Sequence, residues 1–123
     1  MMKYMLSILL LTVSYSATAE WIEFAKRSNG DVYYYDTVVK RKGDQISVWT
    51  RVRYKTSVMA ASSYQNLLRL HCSENSETIL QDTFFTDKDW TKPAMATNTN
   101  EKPKVSVTEN SSSWPLFKIL CKD

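Results

Sequence analysis

Few side chains in this sequence are equipped to make or break bonds. It has one histidine, His71, and two cysteines, Cys72 and Cys121. A lone imidazole excludes a metal site built on two histidines. Successive strand residues point to opposite faces, so His71 turns away from Cys72 and reads as an ordinary surface or packing histidine. Asp87 and Asp89, and Glu74 and Glu77, are acidic pairs in expected turns. They lack the ligand density of a calcium loop and read as solvated turn carboxylates. Ser111 to Ser113 has no base within sequence reach and is better explained as a helix cap. Gly30 and Gly43 are the only glycines, so there is no glycine-rich phosphate loop. The expectation is a protein without catalytic residues, metal or cofactor.

Residues suited to binding are more plentiful. Arg51, Arg53 and Lys55 alternate along one run, and Lys40, Arg41 and Lys42 precede it. Together they can form a basic band for acidic partners, such as sulfated sugars, acidic protein segments or lipid headgroups. Trp49 shares the face of Arg51 and Arg53 and adds an apolar anchor. The ordinary alternative is a solvated outer face of a sheet. Trp90 stands alone among Asp89, Thr91 and Lys92. It suits the tip of a binding loop, or it folds back onto the domain. Lys42-Gly43-Asp44 resembles an integrin-type tripeptide, but Gly43 is already explained by a turn.

The elements that must position these residues are mostly strands. Gln45 to Lys55 alternates without a break: Ile46, Val48, Thr50, Val52 and Tyr54 on one face, Ser47, Trp49, Arg51, Arg53 and Lys55 on the other. That period of two, rich in β-branched and aromatic residues, predicts a long central strand. Trp21 to Ala25 and Val32 to Tyr35 read as two strands before it. They are joined through Ser28-Asn-Gly-Asp31, whose Asn29-Gly30 can take positive φ. Thr56 to Ser63 reads as a connection and Tyr64 to Cys72 as a fourth strand. A helix over Ser63 to Leu70 competes, because Tyr64, Leu67, Leu68 and His71 also fit a helical stripe; the turn after Cys72 favours the strand. Thr78 to Phe85 is a fifth strand and Val105 to Thr108 a short sixth. Between them Thr86 to Lys104 reads as a long loop. Ser113 caps a predicted helix to Cys121, with Pro115 in its first turn and Trp114, Phe117, Leu120 and Cys121 on one face. The fold class expected is α+β: an antiparallel sheet of about six strands, a C-terminal helix packed on it, and one disulfide.

Residues 1–19 read as a cleaved signal peptide. Lys3 makes a basic head, Met5 to Val13 is apolar apart from Ser7 and Thr12, and Ala17-Thr18-Ala19 supplies the small-x-small pattern before Glu20. The apolar run is about half the ~20 residues that a spanning helix needs, so no membrane anchor is expected after cleavage. No cysteine lies near the cleavage point, so the chain does not read as a lipoprotein. Residues 20–123 are then one domain. Losing Lys3 takes one unit from the formal charge of +3, which leaves too little to argue for nucleic acid. In an exported chain, two cysteines read as the disulfide Cys72–Cys121; buried free thiols fit an oxidising compartment poorly. The helix would bring Cys121 to Cys72.

In its order of features the chain resembles the bacterial surface-adhesin protein E family. The points of similarity are Trp21 just after the leader, Tyr35-Asp36 before a short β run, Gly43 in the next turn, Val48-Trp49 in the long strand, then Cys72, and a terminal helix ending in Cys121. The resemblance implies an antiparallel sheet crossed by a helix and a disulfide joining the two. It also implies binding of host matrix and serum proteins such as vitronectin and laminin, and a tendency to dimerise. The studied adhesin type is a lipoprotein, and no basic segment here matches its ligand-binding segment residue by residue. The functional expectation is an exported, non-enzymatic binding protein, periplasmic, secreted or at the cell surface, with a host matrix protein or an envelope protein as partner. The competing expectation is a periplasmic inhibitor that plugs a lysozyme-like enzyme with a loop.

Overall fold

The computed structural model describes residues 20–122. The leader expected over residues 1–19 lies outside them. Eight strands precede one short helix: β1 (Trp21–Lys26), β2 (Val32–Asp36), β3 (Lys40–Lys42), β4 (Gln45–Val58), β5 (Ala61–His71), β6 (Ser76–Phe85), β7 (Ala94–Asn98), β8 (Val105–Ser106) and α1 (Trp114–Leu120). They form one sheet in the order β1-β2-β4-β5-β6-β7, with β3 paired to β4 and β8 to β6. All pairings are antiparallel.

The alternation of β4 builds the inner face. Ile46, Val48, Thr50 and Val52 are no more than 5% exposed. Leu70, Leu68, Asn66 and Tyr64 of β5 stand opposite them in the same order. Helix α1 lays Leu116, Phe117 and Leu120 over Ile46, Val48, Leu68 and Leu70, and Val107 closes the cluster. The bridge Cys72–Cys121 ties the helix end to the end of β5, with Cα atoms 5.4 Å apart. Gly30 makes the first hairpin possible. Its φ is +98°, and an added Cβ would meet Lys55 Cδ at 2.5 Å.

The central strand, the Asn29-Gly30 turn, the helix on the sheet and the disulfide are as the sequence predicts. The strand count is not: there are eight among the described residues rather than about six. The segment Thr56–Ser63 is largely strand, because β4 and β5 continue their ladder to Val58–Ala61 and turn through Met59 and Ala60, whose φ values are +50° and +71°. The expected loop from Thr86 to Lys104 contains β7, which adds to the free edge of β6 despite its Thr/Asn content. Cys72 opens a 3-10 turn rather than ending a strand. Ser113 stands at the N-cap, but its side chain makes no capping bond; only its carbonyl engages, accepting from Phe117 N at 2.9 Å. The most deeply buried helix residue, Leu116, lies beside the stripe that spacing picked out, while Trp114 and Cys121 are only partly buried.

Candidate functional site

The pleat that sends Val48 and Thr50 inward sends Trp49, Arg51 and Arg53 to the opposite face, which no helix among the described residues covers. There they meet Tyr34 from β2 and Gln65 and Leu67 from β5, with Leu67 opposite Trp49 and both Tyr34 and Gln65 opposite Arg51. The Arg51 guanidinium lies 4.1 Å from the Trp21 ring centre and 4.7 Å from that of Trp90, between two aromatic rings. Its Nε donates to Gln65 Oε1 at 2.8 Å. Burial lowers the pKa of Arg51, and the neighbouring Asp36 charge opposes that shift. Arg53 stacks at 5.0 Å on Trp90 and 5.4 Å on Tyr34. It donates to Tyr34 Oη (2.8 Å) and the Lys88 carbonyl (3.0 Å), and pairs with Asp89 at 3.2 Å.

Trp90 is held down rather than projecting. Its Nε1 donates to the Tyr64 carbonyl at 3.0 Å, and its edge meets Tyr34 with ring centres 6.1 Å apart. Its backbone takes φ +56°, an unusual conformation for a bulky residue. Asp87 shapes the turn that imposes it. Its carboxylate accepts from Thr91 Oγ1 (2.7 Å), Thr91 N (3.0 Å) and the amides of Lys92 and Asp89. Those bonds, Thr91's hydroxyl foremost, hold the Asp87 pKa down to about 2.

Beside this aromatic–arginine wall runs a groove lined by Asp36, Val38, Lys40, Ser47, Trp49 and Leu67, about 400 Å³ in volume. It continues into a basic hollow edged by Lys40, Arg41, Lys42, Gln45, Ser47 and Arg69. Arg69 approaches Glu101 only to 3.9 Å. The face therefore joins a half-exposed Trp–Leu floor to a rim of cations. The described residues hold no group of three or more potential metal ligands.

A family profile, surface-adhesin protein E, matches residues 21–122. The chain belongs to the surface-adhesin protein E family. Among solved structures it is similar to Haemophilus influenzae protein E in crystal form II, with 16% identity and a TM-score of 0.66, covering 89% of this chain and 96% of that one. It is also similar to protein E from non-typeable Haemophilus influenzae, with 16% identity and a TM-score of 0.63, covering 89% and 82%. At that identity the likeness is one of fold. No curated protein matches the chain. Membership makes it a surface-adhesin-like protein. No helix among the described residues is long and apolar enough to cross a membrane.

The expected band is split by the fold of this family member. Arg51, Arg53 and Trp90 come together, as a mutually stacked wall. Lys40 and Lys42 join the groove with Trp49. Arg41 edges the same hollow, but pairing opposite Ile46 turns its guanidinium to the helix side, where it donates to the Leu120 carbonyl at 3.2 Å and caps α1. Lys55 lies over Gly30 at the far end of the sheet. Asp44 of the integrin-like tripeptide is occupied by Ser73, whose hydroxyl donates at 2.6 Å and lowers its pKa. His71 is buried and bonds Thr78 Oγ1 at 3.0 Å, a packing role. Sequence reasoning missed Trp21, Tyr34, Leu67 and Arg69 as parts of this face. The signal was there in the alternation of Gln65, Leu67 and Arg69 opposite Asn66, Leu68 and Leu70.

Proposed function

We propose that this protein is an exported, non-enzymatic adhesin that uses the open sheet face to bind an acidic segment of a host matrix or serum protein. In this reading residues 1–19 are removed before Glu20, residues 20–123 act as one domain, and no lipid anchor is attached. One observation carries it: the uncovered face pairs an apolar floor, Trp49 and Leu67, with a cationic rim, Lys40, Lys42 and Arg69, braced by the stacked Trp21–Arg51–Trp90–Arg53–Tyr34 wall. Buried aromatic anchors with charged surroundings are the common make-up of binding hot spots. The rim supplies steering and therefore salt sensitivity.

The test has two arms. Protease shaving of intact cells should release peptides of residues 20–123, and binding to immobilised vitronectin and laminin should be saturable and weaken with salt. Trp49→Ala should reduce affinity by about tenfold or more, and Lys40→Gln with Arg69→Gln should remove most of the salt dependence. The reading fails if these variants bind as well as the natural protein. It also fails if the chain is protected until the outer membrane is opened; an envelope partner such as a lysozyme-like enzyme would then take its place.

A further inference from the structure

The groove and the basic hollow on the open face are two parts of one depression, since Lys40 and Ser47 line both of them. The strand register explains why. Lys40 stands opposite Ser47 from β3, and Arg69 stands opposite Ser47 from β5. The three residues make a row across the sheet, cation, hydroxyl, cation, with the two outer backbones roughly 10 Å apart. Trp49 and Leu67, also opposite each other, form the next row on the same face, one pleat repeat or roughly 7 Å further along. A shelf of two apolar side chains, with Val38 beside it, therefore adjoins a row that can grip an anion.

The cations of this row are available. Among the described residues neither Lys40 nor Lys42 enters an ion pair, and Arg69 reaches Glu101 only at 3.9 Å, with that carboxylate 61% exposed. A pair so long and so open adds little stability and yields readily to a ligand. Arg41 also edges the hollow, but its guanidinium is engaged with the Leu120 carbonyl. Asp36, which lines the groove, offers an anion nothing: its Oδ1 already accepts from Val38 N at 2.9 Å. The anion-binding end of the depression is the hollow.

This arrangement selects among acidic groups. The side chain of Asp or Glu is too short to rest on Trp49 and Leu67 while its oxygens reach the Lys40–Arg69 row. An aromatic ring that carries an oxyanion ester uses both parts. Its ring packs on the indole and the leucine. Its ester oxygens meet the Arg69 fork, the Lys40 ammonium and the Ser47 hydroxyl. In chains outside the cell such a group occurs as sulfated tyrosine. We propose that the depression holds a sulfated tyrosine of the partner, its ring on Trp49 and Leu67 and its sulfate between Lys40, Ser47 and Arg69. This rests on the reading of the open face as one that binds an acidic segment, and it names the side chain that anchors the segment.

The disulfide-bonded protein, labelled with nitrogen-15, would be titrated with four short acidic peptides that differ at one central residue: tyrosine, sulfotyrosine, phosphotyrosine or glutamate. The sulfotyrosine peptide should give saturable shifts at Ser47, Trp49, Leu67 and Arg69, and bind about tenfold or more tighter than the tyrosine and glutamate peptides. Lys40→Gln with Arg69→Gln should bring sulfotyrosine and tyrosine peptides to within about twofold of each other. Ser47→Asp, which sets a carboxylate in the middle of the row, should abolish the preference by itself. The proposal is overturned if the natural protein binds the glutamate or tyrosine peptide as well as the sulfated one, or if the phosphotyrosine peptide binds about tenfold tighter than the sulfated one. It is also overturned if the shifts fall on another face, or if both sets of variants keep the preference with their spectra otherwise intact. Equal binding of sulfated and unsulfated acidic peptides at this face sinks the sulfotyrosine anchor alone; no binding of any acidic peptide sinks the acidic-segment reading with it.

Discussion

Replacing Trp90 tests the wall most directly. The ring accepts two stacked guanidinium groups, Arg51 at 4.7 Å and Arg53 at 5.0 Å, each worth about 0.5–1 kcal/mol at a half-exposed position. The indole donates one hydrogen bond to the Tyr64 carbonyl, worth about 1 kcal/mol net. Trp90→Ala should therefore cost about 2–3 kcal/mol. Trp90→Phe retains the ring and loses only the indole donor, so it should cost about 1 kcal/mol. The backbone adds a difference of opposite sign. At φ +56° an alanine stays strained while a glycine does not, so Trp90→Gly should be more stable than Trp90→Ala by about 1 kcal/mol. Urea unfolding followed by far-ultraviolet circular dichroism gives each value, provided the slope m is unchanged. A Trp90→Ala protein within about 0.5 kcal/mol of the natural one would refute the stacking account. A glycine variant less stable than the alanine variant would refute the strain account.

Three further outcomes are expected. Leu116→Ala removes a fully buried side chain from between helix and sheet and should cost about 2–5 kcal/mol by urea unfolding. Opening Cys72–Cys121 by Cys→Ala at both positions frees a span of 49 residues and should cost about 4 kcal/mol in the same assay. Asp87, with its pKa lowered to about 2 from an ordinary 3.8, should stabilise its turn fully above pH 4 and lose that contribution as pH falls through about 2. Trp90 fluorescence should report the change, and Asp87→Asn should abolish it; a flat profile in the natural protein would show that the turn does not depend on the carboxylate.

The strands with uninterrupted alternation were readable because one face is dry and the other wet; β4 needed no tertiary information. The helix was readable from Pro115 and its apolar spacing. What escaped was set by partners distant in sequence. Thr56–Ser63 is small and polar, and becomes strand only because its two halves pair with each other. Ala94–Asn98 has weak strand preference of its own and is recruited by the free edge of β6. At the candidate face the residue types were legible and their grouping was not. Arg41 and Lys42 are neighbours in sequence, yet the pleat of a three-residue strand sends them to opposite sides. Trp90 and Trp21 are far apart in sequence, and Arg51 alone brings them together.

The strand order has a consequence for how the molecule is assembled. Apart from the short strands β3 and β8, every neighbour in the sheet is also the next main strand in the chain. Such a meander can grow by adding one hairpin arm after another, in the order in which the chain emerges, with little loop-closure entropy at each step. The Trp90 turn and β8 reach back within it, and α1 and the cystine, last in the chain, reach back across the finished sheet. They are late additions, a latch on a structure that has already formed. Their loss should leave the refolding rate nearly unchanged and appear as faster unfolding.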